Sequence, residues 1–268
     1  MKKLLALGML LVILAASLSS CTKTVEDWKY IEENGKMTIG ITIYDPMNYY
    51  EADGTTLTGF DTDFAVAVCA KLGVTPEFQK IDWGQKETML KAKNIDAIWN
   101  GLTVTEERRE NMDFTTSYLV NKQVIVIHKD DAATYTSTAS LKSALLTAEK
   151  ESAGETAITS DTSLNKATYT PSDSQQNALL ALKAGNVDAI VIDYTMAKAS
   201  CGKGDYADFM IVEGVELTNE EYAIGFRVGS DMTKKVNKII DELIEDGTLA
   251  AIAAKYDMTE LYEEAIAD

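Results

Sequence analysis

Arg108 is the residue in this sequence best placed to bind a charged small molecule. It lies in NIDAIWNGLTVTEERRENMDFTTSY, residues 94–118. Ile95-Asp96-Ala97-Ile98-Trp99 reads as a short buried strand, and Gly101 breaks it. Thr105 then offers an N-cap, with Glu106 and Glu107 in the first turn of a helix. A strand-turn-helix of this kind leaves backbone N–H groups pointing at an anion, with the helix dipole behind them. A guanidinium on the first turn grips a carboxylate with two parallel hydrogen bonds, which a lysine cannot match. The alternative from spacing alone is a solvated Arg108 paired with a nearby Glu.

A second stretch supplies the opposite charge. LKAKNIDAI, residues 90–98, is echoed by LKAGNVDAI, residues 182–190, with seven of nine positions identical. Each copy ends a helix, turns at Asn and enters an apolar strand, which implies two similar α/β lobes. The same offset sets Gly101 opposite Asp193. Ligands of open α/β sheets bind outside the carboxyl ends of the strands. If the lobes face each other, one brings an Arg for a carboxylate and the other an Asp for an ammonium. That pair of charges describes an α-amino acid.

The elements that must position these groups follow in order. Lys2, Lys3 and the apolar run 4–18 form a targeting segment, too short for a spanning helix. Met37-Thr38-Ile39-Gly40-Ile41-Thr42-Ile43 is a strand, and Tyr44 follows it in an aromatic loop. Phe60, Phe64, Val68 and Leu72 mark one face of a helix that Asp61 can cap and Gly73 ends. The next strand runs to Ile81 and reaches Trp83. Tyr44 and Trp83 thus stand at neighbouring strand ends beside the Arg, either packed into the core or set as a platform for a ligand. Residues 122–129 form another strand, with a crossing between lobes near 118–122 and a return near 221–226. Residues 145–148 read as a short strand, residues 150–155 open a helix, and Asp173 with Gln176 resembles a capping box. Val236, Ile239, Ile240, Leu243 and Ile244 fix an amphipathic helix, and Leu249, Ile252, Ala253 and Tyr256 a final one.

The net charge of −17 argues against nucleic acid as a partner. No GxxxxGK[ST] phosphate loop and no His/Cys cluster with metal-ligand spacing occurs, so neither a metal nor another cofactor is expected. The single histidine, His128, reads as the polar end of a strand. Cys69 and Cys201 fall in different lobes and read as small unpaired residues.

Several motifs, in order, carry a resemblance over the whole chain after the targeting segment. They are Gly59-Phe60-Asp61-Thr62-Asp63, Asn94-Ile95-Asp96, Gly101-Leu102-Thr103-Val104-Thr105-Glu106-Glu107-Arg108, Met112-Asp113-Phe114-Thr115, Ala189-Ile190-Val191-Ile192-Asp193, Tyr222-Ala223-Ile224-Gly225-Phe226 and Glu245-Asp246-Gly247-Thr248. The chain resembles the family 3 extracellular solute-binding proteins of polar amino acid ABC transporters. The resemblance implies a two-lobed, periplasmic-binding-protein-like (type II) α/β fold with two hinge crossings. Its lobes would be residues 37–120 with 222–268, and residues 121–221. Arg108 matches the arginine that grips the α-carboxylate, and Thr103 a second contact to it. Gly101 matches a residue whose carbonyl accepts from the α-ammonium, and Asp193 the acid that takes it. Tyr44 and Trp83 match the aromatic walls, and Ser152 and Ala153 the loop that offers backbone donors. Asn100, beside them, is placed to read a polar side chain. Leu18-Ser19-Ser20-Cys21 resembles a bacterial lipobox. It implies a signal peptide over 1–20, lipidation of Cys21 and a tether over 21–36. A monomer anchored outside the cytoplasm, serving an ABC permease, is then expected.

Ile41 and Thr42 stand where many relatives carry an acid, which argues against a strongly basic ligand. Glu149 departs from the family pattern and faces either the pocket or solvent. The rival class is an enzyme, since dehydratases of cyclic carboxylates share this fold. Glu149 is the general acid such an enzyme would need.

Overall fold

β1 (Lys36–Ile41) starts the first sheet with its inner residues buried. A small hairpin, β2 (Tyr49–Tyr50) with β3 (Leu57–Thr58), leads to the helix Phe60–Leu72, and β4 (Thr75–Lys80), β5 (Ala97–Ile98) and β6 (Met112–Phe114) follow. β7 (Leu119–His128) leaves this sheet. β8 (Leu145–Thr147), β9 (Thr168–Tyr169), β10 (Ala189–Asp193) and β11 (Phe209–Ile211) build a second one with it. β12 (Asn219–Tyr222) runs back, and β13 (Gly225–Arg227) completes the first sheet. The computed structural model describes residues 25–215 and 217–267. The expected signal peptide and Cys21 lie outside the described residues.

The first sheet has the order β4-β1-β5-β13-β6. β1 is parallel to β4 and β5, and β13 is antiparallel to β5 and β6. The second has the order β11-β7-β10-β8-β9. β7 pairs β12 from Leu119↔Tyr222 to Lys122↔Asn219 and then joins the second sheet, so the two crossings run side by side as an antiparallel ribbon. The sequence sets the outward crossing near 118–122, and β7 pairs with β12 over Leu119 to Lys122. The return starts earlier, at Asn219, and breaks at Ala223 and Ile224 before β13.

Phe60, Phe64 and Val68 are buried as their spacing predicts, and Phe64 meets Trp99 edge-on at 4.9 Å. Asp61 does not cap its helix: Gly59 holds the N-cap position without a side-chain bond. Gly59 has φ +125°, and a Cβ there would lie 2.2 Å from the Met47 carbonyl oxygen. Before the helix Gln175–Lys183 the cap is Ser174, which accepts from the Asn177 N–H, rather than Asp173. The amphipathic helix Asp231–Glu245 buries Val236, Ile239, Ile240 and Leu243. A helix that the sequence reading lacks, Thr259–Ile266, packs on β7. Cys69 and Cys201 are free thiols.

Candidate functional site

The turn after β5 is shaped by one glycine. Gly101 has φ +56°, and a Cβ on it would lie 2.7 Å from the Tyr44 ring and 3.1 Å from that of Tyr222. Left-handed backbone and ring contact together leave room for glycine alone. The Gly101 N–H donates to Asp61 Oδ2 at 2.7 Å. Asp61 is fully buried, and burial pushes its carboxyl up to about 7. The conformation of the turn therefore rests on a buried acid that the sequence reading assigns elsewhere.

Thr105 caps the one-turn helix Glu106–Arg109, its Oγ1 accepting from the Arg108 N–H at 3.1 Å. Arg108 is thereby turned inward and is 8% exposed. Its Nη1 donates to the Thr103 carbonyl at 2.8 Å and its Nη2 to the Glu151 carbonyl at 3.2 Å. The first partner belongs to one lobe and the second to the other. Among the described residues no carboxylate lies within 4.0 Å of this guanidinium. Burial pulls the Arg108 pKa down, with the Glu220 carboxylate acting the other way. The second buried arginine is different. Arg227 meets Asp27 Oδ2 at 2.9 Å and Asp96 Oδ1 at 3.1 Å, with the Leu90 and Ile95 carbonyls on Nη1. Arg227 is paired with carboxylates of its own chain; among the described residues Arg108 is not.

Asp193 ends β10 and is buried. Its Oδ1 accepts from Asn121 Nδ2 at 2.9 Å and Gln123 Nε2 at 2.5 Å, and Gln175 Nε2 holds Oδ2. Asn121 and Gln123 lie on one face of β7, and the antiparallel register puts Gln123 opposite Asp193. Burial raises the Asp193 pKa, and the Gln175 and Gln123 amides pull it back. Asn121 and Gln123 also reach Glu220 Oε2, at 2.9 and 3.1 Å, so Glu220 from β12 is a second acid at the hinge. Burial, then the Asp193 charge, raises its pKa. Thr103 Oγ1 donates to Glu220 Oε2 at 3.1 Å.

Ser152 caps the helix Ala153–Ser160, accepting from the Glu155 N–H at 3.2 Å, and Ala153 is its first residue. Glu149, just before this turn, is 3% exposed and its Oε1 has no hydrogen-bond partner. Burial pushes its carboxyl up to about 8. Lys86 is buried beside Trp83. Its Nζ donates to the Trp83 and Glu151 carbonyls, each at 3.3 Å, and sits 4.9 Å from the centre of the Trp83 ring. Burial, then the Arg108 charge, pulls its pKa down to about 8. Asn100 is saturated. Its Oδ1 accepts from Thr42 N and Oγ1 at 3.0 and 2.7 Å, and its Nδ2 donates to Thr42 O at 3.0 Å and Asn48 Oδ1 at 2.7 Å. That amide ties loops together and has no group left to read a ligand. The Tyr44 hydroxyl meets that of Tyr222 at 2.9 Å and reaches Thr195 in the second lobe.

Arg108, Asp193, Thr103, Gly101, Tyr44, Trp83, Ser152, Ala153 and Asn100, all nine residues expected from sequence, line one cavity, together with Glu149 and Gln175. Its enclosed space is about 10 Å³, room for about one water. A larger cavity of about 580 Å³ lies against Arg108, Thr103 and Ala153 and includes Lys86 and Glu220. His128 is not part of either; its Nε2 bonds the Leu182 carbonyl at 3.0 Å.

An arginine and an acid line one space and offer the opposite charges that could hold the two ends of a zwitterion. The sequence pattern of the bacterial extracellular solute-binding proteins, family 3, matches residues 37–259. The chain belongs to this family. This solute-binding protein is 27% identical over 256 residues to the L-cystine-binding protein TcyJ of Escherichia coli (strain K12), covering 93% of each chain. It is similar to the crystal structure of an ABC uptake transporter substrate-binding protein from Streptococcus pneumoniae with bound histidine, at TM-score 0.78 and 31% identity, over 86% of this chain and 96% of that one. It is also similar to the ancestral amino acid-binding protein AncCDT-1, a precursor of cyclohexadienyl dehydratase, at TM-score 0.79 and 25% identity, over 86% and 99%. Its fold is that of the type II periplasmic amino-acid-binding proteins, and its family is that of amino-acid-binding ABC solute-binding proteins.

Proposed function

We propose that this chain captures one α-amino acid between its lobes by hinge closure and presents it to an ABC permease. The observation that carries this is Arg108: a buried guanidinium with two carbonyl partners and no carboxylate within 4.0 Å among the described residues. A buried cation in that condition is costly unless a carboxylate completes it. Asp193, across the cavity, takes the ammonium, and Gly101 offers its carbonyl. Thr103, Ser152 and Ala153 surround the carboxylate, and Tyr44 and Trp83 form the walls. The enclosed space is too small for an amino acid. The lobes must part to admit one, and the β7–β12 ribbon is where they turn. Only contacts that need both lobes favour the closed state.

The finer expectation, a polar side chain that is not strongly basic, rests on Ile41 and Thr42, which give the first lobe no acid. Glu149 weighs the other way from the second lobe. Cys21, four residues before the described chain begins at Val25, is read as the lipidated N-terminus of a monomer outside the cytoplasm.

The test is calorimetry of residues 22–268, unfolded and refolded to strip ligand, against the common amino acids. One tight heat, with a smaller radius of gyration on binding, supports the reading; silence across all of them refutes it. The enzyme reading keeps one observation in its favour, since a carboxyl held near 8 inside the cavity suits a general acid. Turnover of a cyclic dienyl carboxylate by wild type, lost in Glu149→Gln, would establish it.

A further inference from the structure

Most polar groups in the wall of the cavity are already bonded within the chain. Asn100 is saturated by Thr42 and Asn48. Gln175 gives both ends of its amide to Asp193. The Tyr44 hydroxyl is bonded to Tyr222 and Thr195, and that of Thr103 to Glu220. The Ser152 hydroxyl accepts from a helix N–H. Arg108 and Asp193 answer the two charges of an amino-acid head. Among the lining residues, the one buried side-chain atom left without a partner is Glu149 Oε1.

We propose that Glu149 receives the far end of the bound amino acid's side chain, and that this end carries a positive charge. This rests on the amino-acid reading of the site and deepens it.

Charge balance supports the assignment. The buried ionisable side chains around the two cavities are Arg108 and Lys86 against Asp193, Glu220 and Glu149. Acids outnumber bases by one, so balance without a ligand is kept by one acid holding its proton. A zwitterionic head adds one charge of each sign and leaves that proton in place; a cationic side chain lets the acid ionise. Lys86 does not fill the role itself. Its ammonium is held on the Trp83 and Glu151 carbonyls and over the Trp83 ring, with no carboxylate within 4.0 Å among the described residues. The first lobe offers no competing acid at the cavity, since Tyr44, Trp83, Asn100, Gly101, Thr103 and Arg108 are what it contributes. The acceptor for the side chain is therefore on the second lobe. A ligand bridging Arg108 in one lobe and Glu149 in the other draws them together through both of its ends.

The charge of the ligand also sets a proton count. Burial holds the Glu149 carboxyl up at about 8, with Asp193 and Asp82 adding to the rise and Lys86 and Arg108 opposing it. At pH 7 the group is protonated, and a cation placed against it makes it ionise. Binding then releases close to one proton.

The experiment is calorimetry of the refolded chain with two matched pairs, arginine against citrulline and lysine against norleucine. It is run at pH 7 in phosphate and in Tris, whose ionisation heats differ. The expected result is that the charged member of at least one pair binds tenfold or more tighter than its neutral analogue. Close to one proton is released in wild type. In Glu149→Gln both the discrimination and the release vanish. The proton count on wild type needs no variant, so a poorly folding Glu149→Gln leaves the idea exposed to refutation. Citrulline and norleucine binding as tightly as their charged partners would overturn it, as would discrimination unchanged in the variant. A neutral amino acid held tightly through Arg108, with both basic ones refused, would leave the amino-acid reading standing and remove this one. Silence for every amino acid would remove both.

Discussion

Arg108→Met separates binding from folding at a single residue. The guanidinium has five N–H donors, and two are used, on the Thr103 and Glu151 carbonyls at 2.8 and 3.2 Å. The remaining donors can take a carboxylate in the two-pronged geometry. Each hydrogen bond to a charged partner contributes about 1.5–3 kcal/mol. Losing two weakens binding by about 3–6 kcal/mol, or roughly 10²- to 10⁴-fold in Kd. The effect on stability has two opposing parts. The two carbonyls lose their donors, at about 1–3 kcal/mol each. Against this, a buried cation is no longer held out of water, which relieves several kcal/mol. Methionine fills a similar volume, so the net change is small, within about 2 kcal/mol. Calorimetry gives the affinity and urea unfolding the stability of the same preparation. A loss of affinity under tenfold would show that no carboxylate sits on Arg108. A fall in stability above about 4 kcal/mol would show that the residue serves the fold, with any lost binding a consequence.

Two further outcomes follow from the turn after β5. Gly101→Ala puts a Cβ in left-handed backbone, about 1–2 kcal/mol of strain, and within 2.7 Å of the Tyr44 ring. The urea midpoint should fall and affinity with it; an unchanged midpoint would mean that the turn relaxes freely. Asp61→Asn keeps an oxygen for the Gly101 N–H and removes a titration. The folded carboxyl is held up at about 7 by burial, against about 3.9 in the unfolded chain. The protonated acid favours the folded state, so its stabilisation is complete below pH 4 and is lost as pH rises through 7. Urea unfolding between pH 5 and 7.5 should show wild type losing more stability than Asp61→Asn; equal slopes would refute the assignment.

The fold was legible because its signals are local. The paired LKAKNIDAI and LKAGNVDAI units point to two lobes, and an Arg after one strand and an Asp after the other supply the pair of charges on which the proposed site rests. Thr105 caps as its spacing implies, and a helix opens within residues 150–155 as read, with Ser152 as its cap. The groups that orient the site were not legible. Gln123 holds Asp193 only through an antiparallel register across 70 residues, and no local pattern announces such a register. Glu220 joins them from the return strand. Lys86 stands three residues after Trp83, a spacing that puts both on one face of a turn, yet a lysine there reads as solvated until its burial is seen. Asp61 stands at a helix start yet accepts on Oδ2 from the Gly101 N–H of a distant turn instead of capping. Asn100 lines the cavity with its amide bonded to Thr42 and Asn48.

Closure sets bonds between the lobes against bonds to the ligand. Arg108 and Lys86 already reach across to the Glu151 carbonyl, and Tyr44 reaches Thr195. A carboxylate arriving at Arg108 meets donors that these bonds leave unused, so its contribution adds to theirs. Thr103 is in the opposite position. Its hydroxyl is committed to Glu220, and turning to a ligand exchanges one charged acceptor for another with little net gain. Asp193 likewise has three amide donors to share before an ammonium arrives. On the proposed reading, binding free energy is concentrated on the groups with unanswered valence, Arg108 for the carboxylate and Glu149 for the side chain. One stands on each lobe, so a ligand that satisfies both gains that energy only when the lobes are together, which is the differential affinity that closure requires.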